Sequence, residues 1–194
     1  MIENTPIKNQ NTKDRILDTA LDLFANNGFH KTSISQIAKT TGVSKSLVYN
    51  YFESKNQLLE SIITTFIERN AQLLPSGSIE NLESPEDLAE YLQKLKLHFV
   101  THSTYYRLLI MLTLQGTVKE IIMPDILEKQ RVLLPQLNAF FHKFHQEDSD
   151  KLTYLLGAVM DGIFLHYLYM EGNYPLDEIF DYFSNRLKAF LQQQ

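Results

Sequence analysis

The residues best equipped for chemistry stand close together. Lys45, Ser46, Tyr49, Asn50 and Tyr51 follow Ser44, a residue type that starts helices by accepting a hydrogen bond from a free backbone N–H. A lysine can reach a guanine edge or a phosphate, serine and asparagine can make short hydrogen bonds to base edges, and tyrosine hydroxyls can reach phosphates. Ser33 before this group and Lys55 after it are suited to anchoring phosphates. Together they describe a surface for a nucleic-acid duplex. Other constellations carry less. His98 and His102 are four apart and His142 and His145 three apart, spacings a metal ion can use, but no third ligand accompanies either pair, so no metal or cofactor is expected. Asp148 and Asp150 read as a solvated loop rather than as paired catalytic carboxylates. The chain has no cysteine, which removes disulfides, thiolate zinc sites and cysteine nucleophiles and fits a reducing compartment, the cytoplasm.

Charge is divided unevenly along the 194 residues, whose formal net charge is −5. Residues 1–60 hold seven Lys or Arg against six Asp or Glu, and the remainder holds eleven against seventeen. No acidic residue lies between Asp22 and Glu53, while Lys31, Lys39 and Lys45 fall inside that window. A phosphate backbone tolerates such a surface. The 44% of apolar residues is enough for a core. Residues 1–11 are polar and do not read as a secretory signal. The apolar stretch 154–170 is short and carries Asp161 and His166, so no membrane span is expected.

These groups must be positioned by helices. Thr12 reads as the cap of a first helix over about 13–26, whose apolar residues recur at three- and four-residue spacing before Gly28. Ser33 with Gln36 starts a second, which Thr41 and Gly42 break, and Ser44 caps a third to about Phe52. Ser54 with Gln57 repeats the start signal for a long amphipathic helix to Leu74. Ser84, Pro85, Glu86 and Asp87 open a fifth, to about His102. Further helices are predicted over Tyr105–Gln115, over Pro124–His145 with a kink or division at Pro135, over Ser149–Glu171 and over Leu176–Leu191. There is no strand alternation, glycine-rich phosphate loop or internal repeat. The predicted fold is all-α with about nine helices: a three-helix DNA-binding head containing a helix-turn-helix at 12–57, and a larger helical domain at 58–194.

The stretch from Arg15 to Leu59 resembles a known family. Ile16-Leu17-Asp18-Thr19-Ala20, Phe24-Ala25-Asn26-Asn27-Gly28-Phe29, Thr32-Ser33-Ile34-Ser35-Gln36-Ile37-Ala38, Gly42-Val43-Ser44-Lys45, Tyr49-Asn50-Tyr51-Phe52 and Ser54-Lys55 are similar to the DNA-binding domain of the TetR (tetracycline-repressor-like) family. The resemblance covers about a quarter of the chain. It implies that Ser33, Ser44, Lys45, Ser46, Tyr49, Asn50, Tyr51 and Lys55 meet double-stranded DNA, with Tyr49 and Lys55 acting chiefly on phosphates. Ser46 and Leu47 stand where the family often has glycine and threonine, and Asn50 replaces a frequent aromatic, so the docking mode carries over and the base preference does not.

The resemblance also implies a homodimer built from the last two helices of each subunit. The residues agree. Leu155, Val159 and Ile163 on one helix and Phe183, Leu187 and Phe190 on the other offer more apolar surface than one subunit covers, and Gly157, Ala158 and Gly162 allow close helix approach. Between head and dimer helices, the family encloses an inducer. Here His98, Phe99, His102, Tyr105, Tyr106, Leu109, Met123, Phe141, Phe164 and Tyr167 are candidates to line an apolar cavity for a hydrophobic or aromatic effector. The function implied is a ligand-responsive transcriptional regulator, a repressor released from a palindromic operator, and not an enzyme. The alternatives are a small helical carrier or enzyme using the aromatic cavity, and a helical scaffold that binds only protein.

Overall fold

Four serines each stand one residue ahead of a helix in the computed structural model of the chain. The hydroxyls of Ser33, Ser44, Ser54 and Ser84 accept hydrogen bonds from the N–H groups of Gln36, Leu47, Gln57 and Asp87 at 3.1–3.2 Å, each relieving a donor that the helix start leaves free. The structure describes residues 11–70, 79–115, 119–170 and 172–193, with backbone only for residues 70, 114, 115 and 119–130. Among the described residues there are nine α-helices and no strand: α1 Thr12–Asn27, α2 Ile34–Thr41, α3 Lys45–Tyr51, α4 Lys55–Asn70, α5 Pro85–Thr101, α6 Ser103–Gln115, α7 Lys119–His142, α8 Ser149–Tyr169 and α9 Leu176–Leu191.

Two expectations change. The cap of α1 is Asn11, whose side-chain oxygen accepts from Lys13 N–H at 3.3 Å, and Thr12 is already helical. Helix α7 begins at Lys119, five residues before Pro124, and runs through Pro135 undivided. Pro135 lies on the exposed side, where water can take up the hydrogen bond that its missing N–H cannot make. The predicted extension of α4 to Leu74 falls outside the described residues.

By contacts the chain divides into two compact units, the first comprising the described residues up to Arg69 with Thr104–Ile122, the second the described parts of Asn70–Ser103 and Met123–Gln194. In the first unit Ile16, Ala20, Phe24, Ile37, Val48 and Phe52 are almost wholly buried. Tyr105 of α6 stacks on Phe66 of α4 with centroids 3.4 Å apart. In the second unit Leu88, Leu92, Phe140, Phe141, Phe180 and Leu191 form the core. Lys96 and Gln93 of α5 bind Asp177 and Asp181 of α9 at 2.7 and 2.8 Å.

The start of α5 carries a pH dependence. The Asp87 carboxylate accepts from the N–H groups of Ser84 and Glu83 at 2.9 and 3.0 Å, closing a reciprocal capping box. The Ser84 hydrogen bond, then these two backbone bonds, hold its pKa below the ordinary value of 3.8. A carboxyl held low in the folded chain is ionised there more readily than in the unfolded chain, so its stabilisation is complete above 3.8 and is lost as pH falls through the depressed value. In Asp87→Ala that acid-dependent part of stability should disappear, measured as a smaller loss of thermal midpoint between pH 5 and pH 3.

Candidate nucleic-acid interface

Helices α2 and α3 are joined by a turn that only a left-handed residue closes well. Gly42 has φ 75° and ψ 34°, a region costly for residues with a Cβ. Its N–H donates to Lys39 C=O at 3.3 Å, and Val43 N–H donates back to Ala38 C=O at 2.9 Å, the paired closure of a helix end. Arg15 of α1 adds a third tie, its guanidinium donating to Thr41 C=O at 2.6 Å. The positive charge meets the negative end of α2, which stabilises that helix terminus. Buried Thr32 donates its hydroxyl to Gly28 C=O at 3.0 Å and Leu23 C=O at 3.2 Å, holding the loop that leads into α2.

Held this way, α3 turns Val48 and the following Phe52 into the core at 0% and 1% exposure. Its opposite side is open. Lys45, Ser46, Tyr49 and Asn50 are exposed at helical spacing of one and four, which places them on one face. Lys45 Nζ lies 5.8 Å from the Tyr49 ring centroid, and Tyr49 and Tyr51 are 46% and 39% exposed. Ser33 and Ser44 are exposed at the starts of α2 and α3. Each accepts a cap bond through its oxygen, which leaves the hydroxyl proton free to donate to a phosphate.

Lys55 has partners inside its own unit. Its ammonium donates to the carbonyls of Phe29, Thr32 and His30 at 2.9, 3.0 and 3.5 Å and sits 4.4 Å from the Phe29 ring centroid. Burial pushes its pKa down. An ammonium has three protons to donate, and here all three have carbonyl acceptors. Lys55 therefore fastens the start of α4 to the loop between α1 and α2, a role beside the phosphate contact expected of it. Sequence reasoning missed the related role of Arg15. Both residues reach partners more than twenty positions away, so no local pattern marks them.

The residues expected to line a ligand cavity fall in both units. In the first, Tyr105 is buried against Phe66, Tyr106 sits edge-on to Phe66, and Leu109 is half-buried. In the second, Phe99 stacks on Phe164 at 3.8 Å and Tyr167 meets Phe99 edge-on at 6.1 Å. The His98 and His102 rings lie 4.6 Å apart, and Phe141 is fully buried beside Phe140. The side chain of Met123 lies outside the described residues. Among the described residues no three His, Asp or Glu side chains gather as a metal site.

On the last two helices, Leu155 is 57% exposed, Phe190 is exposed, and Val159, Phe183 and Leu187 are half-buried. Ile163 is turned inward at 6% exposure. The open side of α8 is carried by Tyr154, Ala158, Asp161, Leu165 and Tyr169, and that of α9 by Ile179, Tyr182, Arg186 and Phe190. A Cβ added at Gly157 or Gly162 would meet nothing within 4 Å, so those glycines serve no close approach among the described residues. The stretch Gln146–Tyr169 is long and apolar enough to cross a bilayer by length and composition, yet Leu156, Met160 and Ile163 bury one side of it in its own unit.

Comparison with known proteins bears on the first unit most directly. Residues 16–62 match the family model described as bacterial regulatory proteins, tetR family. The HTH-type transcriptional regulator UidR of Escherichia coli (strain K12) is 38% identical over 69 residues, 36% of this chain and 35% of that protein, so the chain spans about a third of the length of this relative. Among solved structures, a TetR-like transcriptional regulator from Rhodococcus sp. RHA1 superposes with a TM-score of 0.75 at 20% identity, over 97% of this chain and 100% of the other. The transcriptional regulator FadR from Bacillus subtilis, solved in complex with stearoyl-CoA, superposes with a TM-score of 0.62 at 22% identity, over 90% and 97% of the two chains. At these identities the structural likeness establishes the all-α fold. The helix-turn-helix of α2 and α3 lies wholly within the residues that match the tetR family of bacterial regulatory proteins.

Proposed function

We propose that this chain is a DNA-binding transcriptional regulator of the cytoplasm, a homodimeric repressor that leaves a palindromic operator when a hydrophobic or aromatic small molecule binds. The observation that carries the reading is the outward face of α3, where Lys45, Ser46, Tyr49 and Asn50 are exposed while Val48 and Phe52 anchor the helix from behind. In this reading α3 enters a major groove, α2 crosses the backbone, and Ser33, Ser44 and Tyr51 add phosphate contacts. Residues 12–57 bind DNA and residues 58–194 serve ligand binding and dimerisation. The aromatic group around Phe99, Phe164 and Tyr167 supports an apolar effector, and the stearoyl-CoA in the Bacillus subtilis FadR structure carries a long apolar acyl chain. A dimer presents two copies of α3, and two-fold symmetry requires a palindromic site with half-sites about one helical turn, ~34 Å, or somewhat more apart. Selection of bound duplexes from a randomised pool by the purified chain tests the head and the symmetry together. An enriched palindrome is the expected result. A pool with no enriched sequence overturns the reading, and tight binding of an aromatic compound by the same protein would then favour a ligand carrier.

A further inference from the structure

We infer that Asp161 and Arg186 pair across the two-fold axis of the dimer, each aspartate of one protomer meeting the arginine of its partner. The inference rests on the homodimer proposed above and names the contact that orients it. Both residues are exposed, and among the described residues neither has a hydrogen-bond or ion-pair partner. Both stand within apolar surroundings. Asp161 lies between Ala158 and Leu165 on the open side of α8, and Arg186 lies between Tyr182 and Phe190 on α9, its guanidinium 5.2 Å from the Tyr182 ring centroid.

Their levels along the helices match. The Phe164 and Phe180 rings stack at 6.5 Å, one near the end of α8 and the other near the start of α9, which sets the two helices antiparallel and fixes their register. Asp161 is three residues back from Phe164, and Arg186 six residues on from Phe180. At 1.5 Å per residue their levels differ by about 4.5 Å, within the reach of an arginine side chain. A two-fold axis crossing the helices at the level these two residues share brings the acid of each copy opposite the base of the other, because a two-fold interface pairs i with j and j with i. Gly157, Ala158 and Gly162 leave room around Asp161 for a partner helix.

Charge complementarity selects a second copy as the occupant. Burial already pushes the Asp161 carboxyl above its ordinary range, and covering it further leaves the carboxylate in need of a cation. The basic groups of α8, and Lys188 beside Arg186 on α9, are engaged, Lys188 with Glu86 at 3.9 Å. Lys151 binds Asp148 at 2.6 Å, and the His166 ring bonds Gly162 C=O at 2.8 Å and stacks on Tyr174. Arg186 is left to provide that cation, with a planar guanidinium suited to a carboxylate.

The test uses two charge reversals in the full chain, Asp161→Arg and Arg186→Asp, followed by sedimentation and native mass spectrometry. Each variant alone places like charges across the axis and should dissociate at least about tenfold more readily than the parent. Mixed together, the two form a heterodimer in which both pairs are again opposite in sign. Dimerisation in the mixture should return to within about threefold of the parent. The milder Asp161→Asn and Arg186→Gln, each weakening the dimer and neither rescued by mixing with the other, serve as neutral controls. A mixture no tighter than either variant alone overturns the pairing while the parent remains a dimer. A monomeric parent overturns the dimer itself, and a monomeric parent that floats with phosphatidylcholine vesicles assigns the face to lipid.

Discussion

Lys45→Ala should flatten the salt dependence of operator binding, and Lys55→Met should not. A lysine that neutralises a phosphate releases a counterion, and each such contact contributes about −0.9 to the slope of log affinity against log salt. Two copies of Lys45 in a dimer therefore account for a slope change of about 2, with affinity lower by roughly tenfold or more at low salt. Tyr49→Ala should weaken binding with less change of slope, since a phenol carries no charge. Lys55 already donates to three carbonyls, so its loss acts on the fold of the head. Removing charge-assisted hydrogen bonds at a half-exposed site costs about 1–2 kcal/mol, a fall of several degrees in thermal midpoint. At temperatures where the variant is folded, its salt slope should equal the parent's. A slope change in Lys55→Met as large as in Lys45→Ala would return that lysine to the phosphate backbone and refute its role as a fastener.

Leu165→Arg should produce a folded monomer that no longer holds the palindrome. Leu165 is 45% exposed on the open side of α8, so within one chain the substitution leaves stability changed by no more than about 0.5 kcal/mol. In the dimer proposed above the same residue is covered, and a guanidinium added there leaves one cation more than Asp161 can pair, which is strongly unfavourable when buried. Loss of the second subunit removes the tethered second half-site contact, a factor of about 10²–10⁴ in operator affinity. Sedimentation equilibrium reads the first effect and a mobility shift on the selected palindrome reads the second. Leu156→Ala, at a buried position of the same helix, provides the contrast: it should cost about 2–5 kcal/mol of unfolding free energy. A Leu165→Arg protein that stays dimeric would remove this face from the interface.

Local chemistry alone was enough to locate the head. Ser33, Ser44, Ser54 and Ser84 each bond an N–H three residues on, and Gly42 closes its turn with neighbours four and fewer positions back. Such interactions lie within a single turn, so consecutive residue types specify them, and the outward face of α3 follows once Val48 and Phe52 are recognised as apolar anchors. Local chemistry also set the limits of the reading. Asn11 and Thr12 are both capping residues, and proximity in sequence does not choose between them. Pro135 breaks an isolated helix, but on an exposed side of a packed one it is tolerated.

Only the tertiary structure decided what Lys55 and Arg15 do, because their carbonyl partners lie 23 to 26 residues away. It also decided which side of α8 is open. That helix is apolar on nearly every face, so its periodicity gave no reason to turn Ile163 inward and Leu165 outward. Burial is set by what other segments bring against a side chain, and a segment of sequence carries no record of which of its apolar faces they will cover.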